Sequence, residues 1–450
     1  MTKKIYYPLF TMLFFGTALF LATSCEGPAG PAGKDGVDGL LGLPGKDANE
    51  NCKKCHTPAV VEAKATQYEL SKHFFGETAK AEAGASTGCT PCHESEAFKY
   101  VCANNIPATF VKNATTGKFS NSYVATVTTG YGAINCSTCH SSLHKTYEIA
   151  DFYPLTNIAA VPMSMWGGAK TIDLTQDEGK SNLCVKCHQP RPLTTNSTLS
   201  DGNIVDYALL VSNQNDVYYD SAIGNAAPNK LVPSYRTHVH YGGVGAIYAG
   251  KGGIEFPGSV TSYASSEHAT KASCGDCHMA EMTNAAGGHS FVAKGNFKGC
   301  NVSGCHSGAP LDINSPKVKD TKAAVKALLE TLGSKFKSGG VEFLHQDADP
   351  TRNLWAGLTS KNYDGYLNIY DPSINPLGAF RNAAPTGSWT TANRATNTAL
   401  PKFTSLKNVQ IGALINFQLC LREYSLGMHN SYYSKALLTN TIEALTAAGF

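Results

Sequence analysis

Fifteen cysteines and fourteen histidines are the residues of this chain best suited to chemistry, and twelve of the cysteines fall into six close pairs. In five pairs two residues separate the cysteines: Cys52/Cys55, Cys89/Cys92, Cys136/Cys139, Cys184/Cys187 and Cys274/Cys277. A histidine follows each at once, giving His56, His93, His140, His188 and His278. The sixth pair, Cys300/Cys305, has four intervening residues and then His306. This composition yields roughly 0.015 chance matches to C-x-x-C-H, so five are a signal. The pattern is the attachment sequence of c-type haem. In one helical turn positions i, i+3 and i+4 share a face, so both thiols can form thioethers with the vinyl groups while the histidine nitrogen reaches the iron. Zinc knuckles need the paired cysteines but not a histidine after every second one. At the sixth pair the alternative is a loop too wide for attachment, whereas His306 in register favours haem. The expectation is six covalent haem c groups.

Eight histidines lie outside the motifs: His73, His144, His238, His240, His268, His289, His345 and His429. Six irons with histidine on both sides need six of them, and the expected set is His73, His144, His240, His268, His289 and His429. His238 and His240 point to opposite sides of an extended segment, so one of the two reaches an iron. His345, near Asp347 and Asp349, reads as a surface histidine. Methionine is the rival sixth ligand, with Met163, Met165 and Met282 as candidates. The densest stretch runs from His268 to His306, where one complete motif lies between two lone histidines and leads into the stretched one.

These residues must be positioned by a chain that is only 16% charged and rich in Gly, Ser, Thr and Asn. That composition predicts a mainly α protein with extensive irregular loops, a haem-filled core and C-terminal helices. Residues 1–24 read as a lipoprotein signal peptide: Lys3 and Lys4, an apolar run from Pro8 to Ala22, then Cys25 at the cut as the lipid attachment site. An ordinary cleaved signal with a stray cysteine is the alternative. Residues 25–48 form a collagen-like tether, with glycine at every third position from Gly27 to Gly45. It reads either as a weak triple helix or as a flexible spacer reaching on the order of 70 Å. Residues 49–310 are expected to be the hexahaem domain, and 311–450 a helical region packing on it. There, Asp320 is expected to cap a helix carrying Val325, Leu328, Leu329, Leu332 and Phe336 on one stripe. Leu406 to Leu421 and Tyr433 to Leu445 predict two more helices with His429 between them, and Gln346 to Pro401 a long surface excursion. Cys102 and Cys420 are left over and could pair in an exported protein.

Cys277-His278-Met279 followed by Gly288-His289-Ser290-Phe291, and the turn Gly427-Met428-His429-Asn430 with Leu437-Leu438 behind it, resemble the multihaem cytochrome c superfamily. That superfamily includes pentahaem nitrite reductase and octahaem hydroxylamine oxidoreductase-like proteins. The likeness covers mainly 268–306 and 428–438, and it implies that His429 is an axial ligand. The nitrite reductases of the group use a C-x-x-C-K motif at the catalytic haem, and no motif here ends in lysine.

The ligand count therefore predicts a non-catalytic electron carrier, exchanging electrons with other redox proteins as donor and acceptor. It would be exported and lipid-anchored in the cell envelope, at the outer membrane, facing the periplasm or the surface. A formal charge of +3 leaves no nucleic-acid footprint. The alternative is a multihaem oxidoreductase reducing a small nitrogen or sulfur oxyanion at one open haem, with Cys300/Cys305 as the place to look and Tyr235, Arg236 and His238 as proton donors. A third reading is assembly into a homotrimer or filament.

Overall fold

The computed structural model describes residues 56–75, 90–104, 111–112, 119–120, 132–140, 155–193, 201–202, 205–220, 237–338, 341–346, 355–367 and 405–450. Residues 1–24, expected to be a signal peptide, Cys25 and the glycine triplets lie outside them, as do Cys52, Cys55, Cys89, His144, Tyr235 and Arg236. Among the described residues are twelve α-helices: α1 Pro58–Glu69, α2 Thr90–His93, α3 Ser95–Ala103, α4 Cys136–Cys139, α5 Lys180–Cys187, α6 Tyr207–Ser212, α7 Val244–Ala249, α8 Glu267–Lys271, α9 Cys274–His278, α10 Pro316–Ser334, α11 Asn408–Arg422 and α12 Ser431–Ala447. Strands are short and pair antiparallel, the longest being Val217–Asp220 with Ser405–Lys407 and Leu344–Gln346 with Tyr363–Leu367. The architecture is mainly α with long irregular connections.

The main core gathers around α11, all fifteen of whose residues are buried. A helix buried on every side is central, and α10 and α12 pack against it. Val325, Leu329, Leu332, Phe336, Phe417, Leu437 and Leu445 are fully buried there, each contributing about 1.5–3 kcal/mol by leaving water. Two polar side chains of α11 bond backbone far back in the chain. Asn416 Nδ2 donates to Ile254 O at 2.7 Å, and its Oδ1 accepts from Ile254 N at 2.8 Å. Gln418 Nε2 donates to Thr237 O at 2.9 Å and to Gly365 O at 2.8 Å. From the start of α12, Asn430 Oδ1 caps Tyr433 N at 3.1 Å and accepts from Ser266 N at 3.1 Å, just ahead of α8. The C-terminal helices thus hold the segments bearing His238, His240 and His268.

Several expectations shift. The first long helix begins at Pro316, with Ser315 before it, so Asp320 is interior and caps nothing; proline at the first position sets the start. Leu406 lies in a strand, because it pairs with Tyr219 before α11 begins. The segment after Gln346 is not all surface excursion, since Trp355 and the strand Tyr363–Leu367 are buried. Arg422 explains why: its guanidinium lies 4.9, 4.9 and 5.0 Å from the ring centres of Tyr241, Trp355 and Tyr366, a cation–π cage. Its Nη2 also donates to Asp364 O at 2.8 Å. His345 is 2% exposed and not a surface residue; its Nδ1 bonds Asp364 Oδ2 at 2.7 Å. Cys102 and Cys420 do not pair. Cys102 packs with Phe98 and Leu183, and Cys420 belongs to the main core.

Around the motifs the apolar clusters are small. One joins Val161, Met163, Ile172, Leu174, Val185, Ala246 and Tyr248; another joins only Phe98, Cys102 and Leu183, with Cys139, Leu155 and Cys187 against it. Met163 and Met165 are fully buried members of apolar clusters.

Candidate functional site

The second, third and fifth motifs sit on the single turns α2, α4 and α9, and the fourth on the last turn of α5; at α4 and α9 a local side chain caps the turn. Before α4, Asn135 Oδ1 accepts from Ser137 N at 2.9 Å and Asn135 N donates to Thr138 Oγ1 at 3.0 Å. Before α9, Ser273 Oγ accepts from Asp276 N at 3.0 Å while Asp276 Oδ2 accepts from Ser273 N at 2.8 Å, a capping box within the motif itself. The turn closes when the motif histidine donates its N–H to the carbonyl of the first cysteine: His140 to Cys136 at 2.9 Å and His188 to Cys184 at 2.9 Å. The stretched motif makes the same bond, from His306 N to Cys300 O at 3.0 Å. Its two extra residues loop out through Gly304, at φ 83°, and Cys305 N bonds Val302 O at 3.1 Å. The irregular spacing therefore leaves the histidine tied to its first cysteine as elsewhere.

Five motif histidines each face a histidine from outside the motifs. The ring centres are 5.9 Å apart for His188 and His73, 6.3 Å for His93 and His240, and 6.3 Å for His140 and His289. They are 6.3 Å apart for His306 and His268, and 6.1 Å for His278 and His429. An imidazole nitrogen binds a transition metal at about 2.0–2.1 Å and lies about 1.2 Å from its own ring centre, so two rings trans across one ion sit about 6.4 Å apart. The rings fit that span. His56 is described, while His144 lies outside the described residues.

Second partners orient the rings. His278 Nδ1 donates to Phe291 O at 2.8 Å, and His268 Nδ1 to Met428 O at 3.0 Å. Because a carbonyl can only accept, Nδ1 carries a proton in both rings, which makes Nε2 the nitrogen placed to bind a metal. His188 bonds the Gly242 backbone. His429 Nδ1 donates to Glu423 Oε2 at 2.5 Å. Between the two histidines left open by sequence, His240 is the one facing His93. His238 supports it, its Nδ1 accepting from His240 N at 2.9 Å, and His240 holds φ 75°, a conformation costing a non-glycine residue about 1–3 kcal/mol. His289 is seated by α1, where Gln67 Oε1 accepts from its N–H at 3.1 Å. That approach requires glycine at 288: a Cβ there would stand 2.3 Å from Gln67 Oε1.

Burial keeps most of these imidazoles neutral, the form that binds metal. It pushes His188 down to about 4, with His73 adding to the effect, and His289 down to about 4, with Lys64 and His140 adding. His73, His93, His278 and His306 are lowered chiefly by burial as well. At His429 burial acts in the same direction, but the Glu423 bond and charge outweigh it and its pKa is raised.

The motifs also meet one another. The Cys92 thiol bonds that of Cys187, and Cys184 bonds Cys274. Cys139 and Cys187 border one apolar cluster. The Phe291 ring is 4.9 Å from His73 and 5.9 Å from His289, while its carbonyl holds His278. The fourth motif is thus the hub. Sequence spacing missed Phe291 and Gly242, which act through backbone groups, Gln67, which acts across the fold, and Glu423, whose carboxylate reaches His429 only because the intervening loop folds back. Compared with protein-family models, characterised proteins and solved structures, the chain gives no match.

Proposed function

We propose that the chain is an exported hexahaem c-type cytochrome that carries electrons, each iron held between a motif histidine and a histidine from elsewhere in the chain. The observation that carries this reading is the set of five ring pairs at 5.9–6.3 Å, each joining one motif histidine to one lone histidine. Haem iron with nitrogen on both sides cycles between ferric and ferrous and offers no position to a substrate. In this reading the twelve motif cysteines anchor the porphyrins, and the histidine pairs fix iron position and spin state. His144 completes the set opposite His56. The thin apolar clusters around the motifs support a core filled by porphyrin. The fourth motif, touching the second, third and fifth, is where electrons branch. Cys25 would carry the lipid anchor and the glycine triplets the tether, presenting the domain to redox partners.

The oxyanion reductase is the weaker reading, because His268 stands opposite His306, the motif where an open iron was most expected. The test is the purified full-length holoprotein. Its mass should correspond to six haems, and its paramagnetic resonance spectrum should contain low-spin ferric signals only. A high-spin signal in the untreated protein would sink the carrier reading.

A further inference from the structure

Glu423 is the C-cap residue of α11, and its carboxylate is 0% exposed. Three donors close on it: His429 Nδ1 at 2.5 Å and Ser425 Oγ at 2.5 Å on Oε2, and Gly427 N at 3.0 Å on Oε1. Ser425 Oγ in turn accepts from His429 N at 3.1 Å. The loop that wraps the carboxylate holds Tyr424 at φ 64°, Leu426 at φ 53° and Gly427 at φ 88°. Tyrosine and leucine rarely adopt that conformation, and a residue held there by its surroundings points to function. A Cβ on Gly427 would also stand 2.7 Å from Val325 Cγ2. The backbone is bent so that the helix end reaches back onto His429. The imidazoles of His278 and His268, by contrast, face neutral carbonyls.

We propose that Glu423 is a positioning residue that strengthens His429 as an electron donor and lowers the reduction potential of the haem between His278 and His429. The inference rests on the bis-histidine reading. A buried anion on the far nitrogen of a ligating imidazole raises ligand basicity and favours the ferric state, and with no solvent at the carboxylate its charge is little screened.

The test is a spectroelectrochemical titration of the haem-loaded full chain beside two variants. Glu423→Gln keeps an acceptor and removes the charge. One midpoint should rise by at least tenfold in its equilibrium, about 59 mV for one electron, with haem count and low-spin spectrum unchanged. Ser425→Ala removes a donor that draws charge from Oε2, so the same midpoint should fall. General loosening would move both variants the same way. Unmoved midpoints in Glu423→Gln, or a rise or no change in Ser425→Ala, overturn the proposal while leaving the bis-histidine reading intact. Should Glu423→Gln fail to accumulate, the sign in Ser425→Ala decides alone. A high-spin haem in the unaltered protein would instead remove the reading on which the inference rests.

Discussion

His240→Ala and His238→Ala, compared side by side, test the ligand assignment where sequence left it open. The two rings stack at 6.3 Å with planes 10° apart, yet only His240 faces His93, also at 6.3 Å. On the proposed bis-histidine reading, truncating His240 removes one of the two protein ligands at one of six irons. One sixth of the ferric haem should therefore convert to high spin, with the other five signals unchanged. Truncating His238 removes no ligand. It deletes the acceptor for His240 N at 2.9 Å, a loss of about 0.5–1.5 kcal/mol, felt by a backbone already held at φ 75°. That variant should be slightly less stable to denaturant and fully low-spin. Spin quantitation by paramagnetic resonance on both holoproteins reads the difference directly. A fully low-spin His240→Ala protein, or a high-spin signal in His238→Ala, would refute the assignment.

The remaining predictions concern the anchors, the core and the tether. Deleting Val302 and Ser303 should leave six haems by mass, because Asn301 stays bonded to Leu311 at 2.9 and 2.7 Å and the bond from His306 to Cys300 needs no wide loop; five haems would show that the long spacing is required. Replacing Cys184 and Cys187 by alanine should lower the yield of folded protein far more than the same change at Cys300 and Cys305, measured as haem per chain and soluble protein. The thiols of the fourth motif bond those of Cys92 and Cys274, so losing them disturbs three motifs at once. Phe417→Ala should cost about 3–5 kcal/mol of unfolding free energy, since its ring sits between Phe336 at 5.5 Å and Tyr363 at 5.6 Å. Deleting residues 25–48 should leave a monomer in sedimentation, and if the full form is a trimer the comparison assigns that assembly to the glycine triplets.

The long helices were legible because their stripes are long: Val325, Leu329 and Leu332 mark α10 correctly, and two further helices lie within a few residues of their expected limits. His345 was misread because Asp347 and Asp349 are near it in sequence, whereas Asp364, in a paired strand, is its true partner. The strand Tyr363–Leu367 was hidden in a segment whose composition suggested surface. Arg422 and Gln418 of α11 bond it at Asp364 and Gly365, contacts that no local pattern predicts.

What the sequence alone determined is the local chemistry. In the five C-x-x-C-H motifs two thiols and an imidazole come from five consecutive residues, so their nearness to one another is a local matter. The pairing of His278 with His429, of His140 with His289 and of His93 with His240 is a different kind of fact. It depends on where α11 and α12 clamp the segments at 237, 254 and 266, and on Gln67 of α1 reaching His289. Contacts of that kind come from burial and hydrogen bonding between elements far apart in the chain, and only the tertiary structure decides them.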